Sequence, residues 1–197
     1  MTSLLFKDIT VLTEEGKTVP HAYVGVTDST ISHFQLTQPE DAFDRVIDGR
    51  GKLLMPALYN AHAHVPMTLL RGRGDNLPLD RWLNEAIFPF EVHITEDATY
   101  HATLLGIAEM LRFGVVSFTD MYFCTDARAR AVLDSGVKCN LSDCVVCSEP
   151  GMTYYDLPLA KENEQWIAQY HGAGDGRLLI DMSLHAEYTS TPEVVRT

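Results

Sequence analysis

Residues 53–64 read LLMPALYNAHAH. The apolar run from Leu53 to Leu58 suits a short buried strand. It leads to His62 and His64, two residues apart, and period two puts both imidazoles on the same side of an extended chain. Two neutral imidazoles on one side can share a Zn²⁺ ion, each nitrogen about 2.0–2.1 Å from the metal. The C-terminal end of a strand is also where barrel enzymes build their sites.

Downstream of this stretch, strand and helix signals alternate. Residues 79–88 carry Trp82, Leu83, Ala86 and Ile87 on one stripe, and Pro89 is expected to end that helix. Thr95 caps a second helix, with Glu96 and Asp97 at its positive end. The expected apolar stripe of this helix is Tyr100, Leu104, Ala108 and Leu111, and Gly114 closes it. Val115 to Met121 reads as a strand. Thr125 and Asp126 open a helix that Gly136 ends, and Val137 to Val146 is a further strand. A helix over 158–171 turns Trp166, Ile167 and Tyr170 inward. Leu178 to His185 is the fourth strand, with Leu178, Ile180, Met182 and Leu184 on one face and Leu179, Asp181, Ser183 and His185 on the other. Such alternation predicts parallel strands with crossover helices, an α/β architecture. The polar-bearing face of the fourth strand fits the inside of a barrel.

Upstream, residues 1 to about 50 read as β. Leu4–Lys7, Ile9–Leu12, Ala22–Val26 and Thr30–Leu36 are rich in strand formers, and Asp28-Ser29 marks a hairpin break. Two domains are therefore expected: residues 1–52, a small β-layer, and residues 53–197, the α/β unit. Thr191-Pro192-Glu193 starts one more helix only a turn before Thr197. An isolated turn is not stable, so the chain is expected to be the N-terminal portion of a longer protein.

Composition narrows the function. The 197 residues carry 15 Lys and Arg against 27 Asp and Glu, a formal charge of −12. So acidic a surface repels phosphate backbones and anionic lipid, which argues against nucleic-acid and membrane partners. No segment approaches the roughly 18 consecutive apolar residues of a membrane span. Four cysteines do not make a disulfide scaffold at this size, and a cytoplasmic protein is expected. Cys144 and Cys147 form a lone C-x-x-C, read as two thiols in or just after a buried strand.

The run Met55 to Gly72, MPALYNAHAHVPMTLLRG, resembles the first-strand motif of the amidohydrolase superfamily. Within it, the chain is most similar to the branch of 5′-methylthioadenosine/S-adenosylhomocysteine deaminases, which also holds triazine-type chlorohydrolases. Trp82, Phe88-Pro89-Phe90-Glu91, Glu109-Met110, Thr119-Asp120-Met121-Tyr122 and His185-Ala186-Glu187-Tyr188-Thr189 extend the likeness. It implies the first half of a metal-dependent (β/α)₈ barrel, preceded by part of a small β-sandwich. It also implies hydrolytic deamination of an adenosine-type nucleoside or related amino-heterocycle, with Zn²⁺ or another divalent ion such as Fe²⁺, Mn²⁺ or Ni²⁺. On this likeness His62 and His64 are metal ligands. Glu91 matches a ribose-binding glutamate, His185 a substrate-facing histidine, and Trp82 a wall of the pocket. The remaining ligands and the proton-moving glutamate of that family fall beyond residue 197, so no catalytic residue is assigned within this chain, which is expected to be inactive alone. A small-molecule substrate and a homo-oligomer are expected. The alternatives are a chlorohydrolase or other amidohydrolase of the same branch, and a non-catalytic truncated fragment.

Ser142 to Asp156 contains no Arg or Lys and carries Asp143, Glu149 and Asp156. That favours a neutral or cationic substrate over one bearing a carboxylate. Asp120 reads as a buried or loop-capping acid. Arg71-Gly72-Arg73-Gly74 reads as a mobile loop over the site. His93, His101 and His171 read as surface or helix-end residues.

Overall fold

A computed structural model describes residues 2–197, and the chain divides into two compact units, the first ending at Ala57 and the second beginning at Leu58. The first unit is a β-layer. Strands β1 (Ser3–Leu12), β2 (Thr18–Thr27) and β3 (Thr30–Gln35) form an antiparallel meander, and β4 (Arg45–Asp48) and β5 (Leu53–Leu54) both lie parallel to β1. The two runs expected at 4–7 and 9–12 are one strand with a register shift between Phe6 and Ile9, where Asp8 takes a positive φ. Ile9, Ala22 and Val24 pack as its core, while Ile31, Phe34 and Val46 are exposed.

The second unit holds β6 (Leu58–Ala63), β7 (Val115–Met121), β8 (Lys138–Ser142) and β9 (Leu178–Ile180), all parallel and ordered as they occur in sequence. A doubly wound sheet reverses its strand order partway, whereas a barrel winds in one direction. Sequential order therefore selects the barrel. The expected strand Leu53–Leu58 is corrected: Leu53 and Leu54 pair with Thr10 and Val11 of β1, and the barrel strand starts at Leu58. An apolar run does not encode which neighbour will take it.

Helices cover the sheet. A continuous helical segment begins with α1 (Leu79–Arg81), widens to a π turn at Trp82–Ile87, and ends as α2 (Phe88–Glu91). Pro89 does not terminate it as expected. Phe88 N–H reaches back five residues to Leu83 O, and Pro89 falls in the first turn of α2, where a missing N–H is tolerated. Next comes α3 (Glu96–Arg112), where Thr95 Oγ1 accepts from Ala98 N at 3.2 Å, as expected of the cap. Its buried face is not the expected one. Thr99, Ala102, Thr103, Gly106 and Ile107 are buried, and Leu111 is exposed. Small residues let neighbours approach closely: a Cβ on Gly106 would lie 2.5 Å from Val65 Cγ1. Then α4 (Thr125–Ser135) ends on Gly136 at φ +76°, the left-handed stop that glycine takes freely. Finally α5 (Pro158–Tyr170) packs Trp166 and Tyr170 inward, and both donate to the Asp126 carboxylate, at 3.0 and 2.7 Å. Ile167, expected beside them, is 39% exposed.

The core beneath the sheet comprises Ile107, Phe118, Val132, Leu141, Leu178 and Ile180 among others. After β8 and β9 the two chains continue side by side through single bridges, Val145 to Leu184 and Cys147 to Ser190. Met182, expected to share the buried face of β9, is half exposed because the ladder is interrupted there. No helix among the described residues is long and apolar enough to cross a membrane.

Candidate functional site

His62 lies in β6 and His64 one residue beyond its end, and their rings stand 4.9 Å apart between centroids, at 82°. The shared side expected from period-two spacing is thus occupied by both imidazoles. His64 Nδ1 donates to the Met121 carbonyl at 2.6 Å. A carbonyl only accepts, so this bond fixes the proton on Nδ1 and leaves Nε2 as the basic nitrogen of the neutral ring. Such a backbone anchor on the far nitrogen is how ligating histidines are commonly oriented. Among the described residues no group of three His, Cys, Asp or Glu side chains is placed to hold an ion.

A cavity of about 560 Å³ opens at this end of the sheet, lined by His64, Trp82, Glu91, Tyr122, Cys144 and His185 together with apolar side chains such as Leu83, Phe88 and Val146. Three separate segments bring Trp82, Glu91 and His185 to it: the π turn, the end of α2 and the extension of β9. His62 is not among the lining residues and stays exposed beside His64.

Several polar groups in the cavity are held by hydrogen bonds. Tyr122 donates its phenol hydrogen to Glu91 Oε1 at 2.6 Å. Burial, and then that bond, drive the Tyr122 phenol well above its ordinary range, so it acts as a donor and not an acid. The Thr189 hydroxyl donates to Ala186 O at 3.0 Å and can therefore accept from His185 Nδ1 at 3.1 Å. His185 Nε2 is then the free nitrogen of that ring. Burial, with the neighbouring His64 adding to it, lowers the His185 pKa and favours the neutral imidazole. The Trp82 indole donates to Arg73 O at 3.1 Å, and Arg73 Nε donates to Ala86 O at 2.8 Å.

Those last bonds correct one expectation. The Arg71–Gly74 loop, read as mobile, is tied at both arginines, because Arg71 also forks onto Glu109 at 2.8–2.9 Å. Asp120 is fully buried against Arg128, in keeping with a structural acid. His101 sits on the exposed face of α3 near Asp97, and His171 ends α5 against Ile180. The C-x-x-C thiols part company. In this extended stretch Cys144 faces the cavity with Val146, while Cys147 packs with Val145 in a separate cluster. A spacing of three puts them on opposite sides of the strand, so they neither pair nor chelate together. Burial pushes the Cys144 thiol up to about 12.

Sequence reasoning passed over Tyr122 and Cys144 as site residues. The signal for Tyr122 was available: it follows the end of β7, the place where barrel strands deliver side chains to a site.

Comparison with known proteins places these observations. The chain is 44% identical over 158 residues to the 5′-deoxyadenosine deaminase of Methanothermobacter thermautotrophicus, covering 80% of this chain and 36% of that one. It is 35% identical over 189 residues to the 5-methylthioadenosine/S-adenosylhomocysteine deaminase of Dictyoglomus thermophilum, covering 96% and 43%. The chain thus spans less than half the length of these curated relatives. An adenosine deaminase from Xanthomonas campestris solved with bound zinc superposes with a TM-score of 0.82 at 27% identity, over 96% of this chain and 44% of that one. The zinc complex of atrazine chlorohydrolase TrzN from Arthrobacter aurescens TC1 gives 0.83 at 18% identity, over 97% and 48%, a likeness of fold. Its strand order is accordingly that of half a (β/α)₈ barrel. The model of the amidohydrolase family matches residues 53–197, which span the paired histidines and the cavity, and the chain belongs to that family.

Proposed function

We propose that this chain is the N-terminal part of a zinc-dependent hydrolase that removes the exocyclic amine of an adenosine-type nucleoside. The observation that carries the reading is the convergence of His64, Glu91, Trp82 and His185 on one cavity next to His62. The names of the relatives at 35–44% identity support the substrate class. His62 and His64 would hold the ion, with His64 offering Nε2. A bound Zn²⁺ brings the pKa of water toward about 7. The Tyr122 phenol orients the Glu91 carboxylate, which suits a pair of ribose hydroxyls as donors. Trp82, Leu83 and Phe88 supply an apolar wall that excludes water, and His185 presents a neutral imidazole to the substrate.

The residues facing the cavity include no Lys or Arg, which favours a neutral 5′ substituent. Two of the three acids of the 142–156 segment do not argue for a cation. Asp143 is buried and accepts from Thr125 Oγ1 at 2.8 Å, and Asp156 is occupied in a capping box with Thr153. The reading brings with it a small-molecule substrate, a cytoplasmic location and a homo-oligomer. Residues 1–57 would form part of a small β-sandwich and residues 58–197 a truncated barrel, the boundary lying a few residues after the expected 52/53. The net charge of −12 speaks against nucleic-acid or membrane partners.

The test is ammonia release by a zinc-loaded protein extended to the length of its relatives. Substrates are 5′-deoxyadenosine, methylthioadenosine, S-adenosylhomocysteine and a chlorotriazine. Ammonia from the neutral nucleosides is expected, with S-adenosylhomocysteine poorer. Chloride release alone would favour the chlorohydrolase alternative. Turnover by residues 1–197 alone at an ordinary rate of about 1–1000 per second would contradict a site completed elsewhere.

A further inference from the structure

The side chain of Arg128 is completely buried. It leaves α4 and meets the C-terminal ends of β7 and β8. Nε donates to Phe123 O at 3.0 Å. One terminal nitrogen donates to Asp120 Oδ2 at 3.0 Å. The other reaches Tyr122 O, Thr125 Oγ1 at 2.9 Å and Ser142 O at 3.0 Å. Two relays extend this fork. Asp120 Oδ1 accepts from Val65 N at 2.6 Å. The Thr125 hydroxyl donates to Asp143 Oδ2 at 2.8 Å, and Asp143 Oδ1 accepts from Cys144 N at 2.6 Å.

The ends of this network fall on the cavity, although Arg128 itself does not line it. His64 is gripped from two sides, by the Met121 carbonyl on Nδ1 and by the Asp120 bond to the next backbone N–H. Tyr122 is held at its carbonyl by Arg128 while its phenol holds Glu91. Cys144 is held at its N–H. A buried ion pair adds little stability over well-packed apolar residues. What a guanidinium adds is a planar fork that fixes several acceptors at set angles, which an ammonium does not.

We infer that Arg128 is a positioning residue for the cavity, setting through Asp120 and the Tyr122 carbonyl both the His64 imidazole and the Tyr122–Glu91 pair. The use made of His64 rests on the proposed function; the geometry that positions it does not.

The experiment is a long-range ¹H–¹⁵N spectrum of the labelled chain, which reports which ring nitrogen of each histidine carries the proton, followed by a Zn²⁺ titration. In the wild type His64 is expected as the Nδ1–H tautomer. Arg128→Lys keeps a charge for Asp120 and loses the fork. In that variant His64 is expected to divide between both tautomers, and Zn²⁺ affinity to fall about 10–100-fold. If the lysine chain does not fold, the double variant Asp120→Leu with Arg128→Met replaces the pair with apolar bulk. It is expected to fold and to show the same mixed tautomers. A folded variant in which His64 is unchanged overturns the inference. So does failure of both variants to fold, which would make the pair a support for the domain and nothing more. Failure of Zn²⁺ to bind the protein extended to the length of its relatives, while the tautomer result holds, would instead count against the proposed function.

Discussion

The inner strands β7 and β8 and the outer strands β6 and β9 of the same sheet are finished very differently. The inner pair is flanked on both sides, buries Phe118 and Leu141, and ends in the sealed Arg128 network. Among the described residues the outer pair has a neighbour on one side only, and Tyr59 and Leu179 are 73% and 40% exposed. The histidines belong to the outer pair: His62 lies in β6, His64 just past its end, and His185 in the extension of β9. The buried network thus lies under the inner strands, and the imidazoles lie at the ends of the outer ones.

Predictions follow that contrast from its strongest expression to its weakest. Arg128→Met alone takes the guanidinium partner from the buried Asp120 carboxyl, so stability in urea is expected to fall by about 3–5 kcal/mol. The double replacement with Asp120→Leu should recover most of it. Leu141→Ala on β8 is expected to cost about 2–5 kcal/mol, and Leu179→Ala on β9 less than half as much. Equal losses would break the distinction between inner and outer strands. Gly106→Ala gains about 1 kcal/mol of helix propensity but pushes on Val65, for a net loss of about 1–3 kcal/mol by overpacking. Since Val65 follows His64, the His64 ring signals should shift as well.

Cysteine alkylation at pH 8 probes the same contrast without mutation. Burial raises the Cys139 and Cys144 thiols, Cys144 to about 12. A raised thiol pKa stabilises the fold below the ordinary thiol range and ceases to do so as pH climbs past the folded value. At pH 8 both therefore stay protonated and are expected to react only on unfolding. Cys124, partly exposed beside the start of α4, should label first by mass spectrometry. The smallest effect is expected at Arg71→Gln, whose pair with Glu109 is 63% and 43% exposed. It should change stability by less than about 1 kcal/mol.

Much of this was legible in residue pattern. Val115–Met121 is a strand to the residue, Thr95 and Gly136 mark their helix ends, and His62 and His64 share a side as period two requires. What escaped has physical reasons. The buried face of α3 is made of Thr, Ala and Gly, chosen for close approach, and a search for large apolar stripes looks past them. The π turn at Trp82–Ile87 hands over to a new helical turn that starts at Phe88, so Pro89 stands at a helix start and not at a stop. Arg128 is two residues from Arg130 in the run TDARARAVLDS, and nothing local separates them. Yet the first is sealed beneath the strand ends, while the second lies over the Tyr100 ring at 4.6 Å. Only the long-range meeting of β7, β8 and α4 distinguishes the two.

The central claim is that His62 and His64 act as one divalent donor pair. It is tested most directly by titrating Zn²⁺ into the ¹⁵N-labelled chain and following the histidine ring nitrogens. Added Zn²⁺ should move His64 Nε2 and a His62 ring nitrogen together, leave His64 Nδ1 protonated, and lose both responses in His62→Ala. Movement of other histidines first, or of His64 in the absence of His62, would contradict the account.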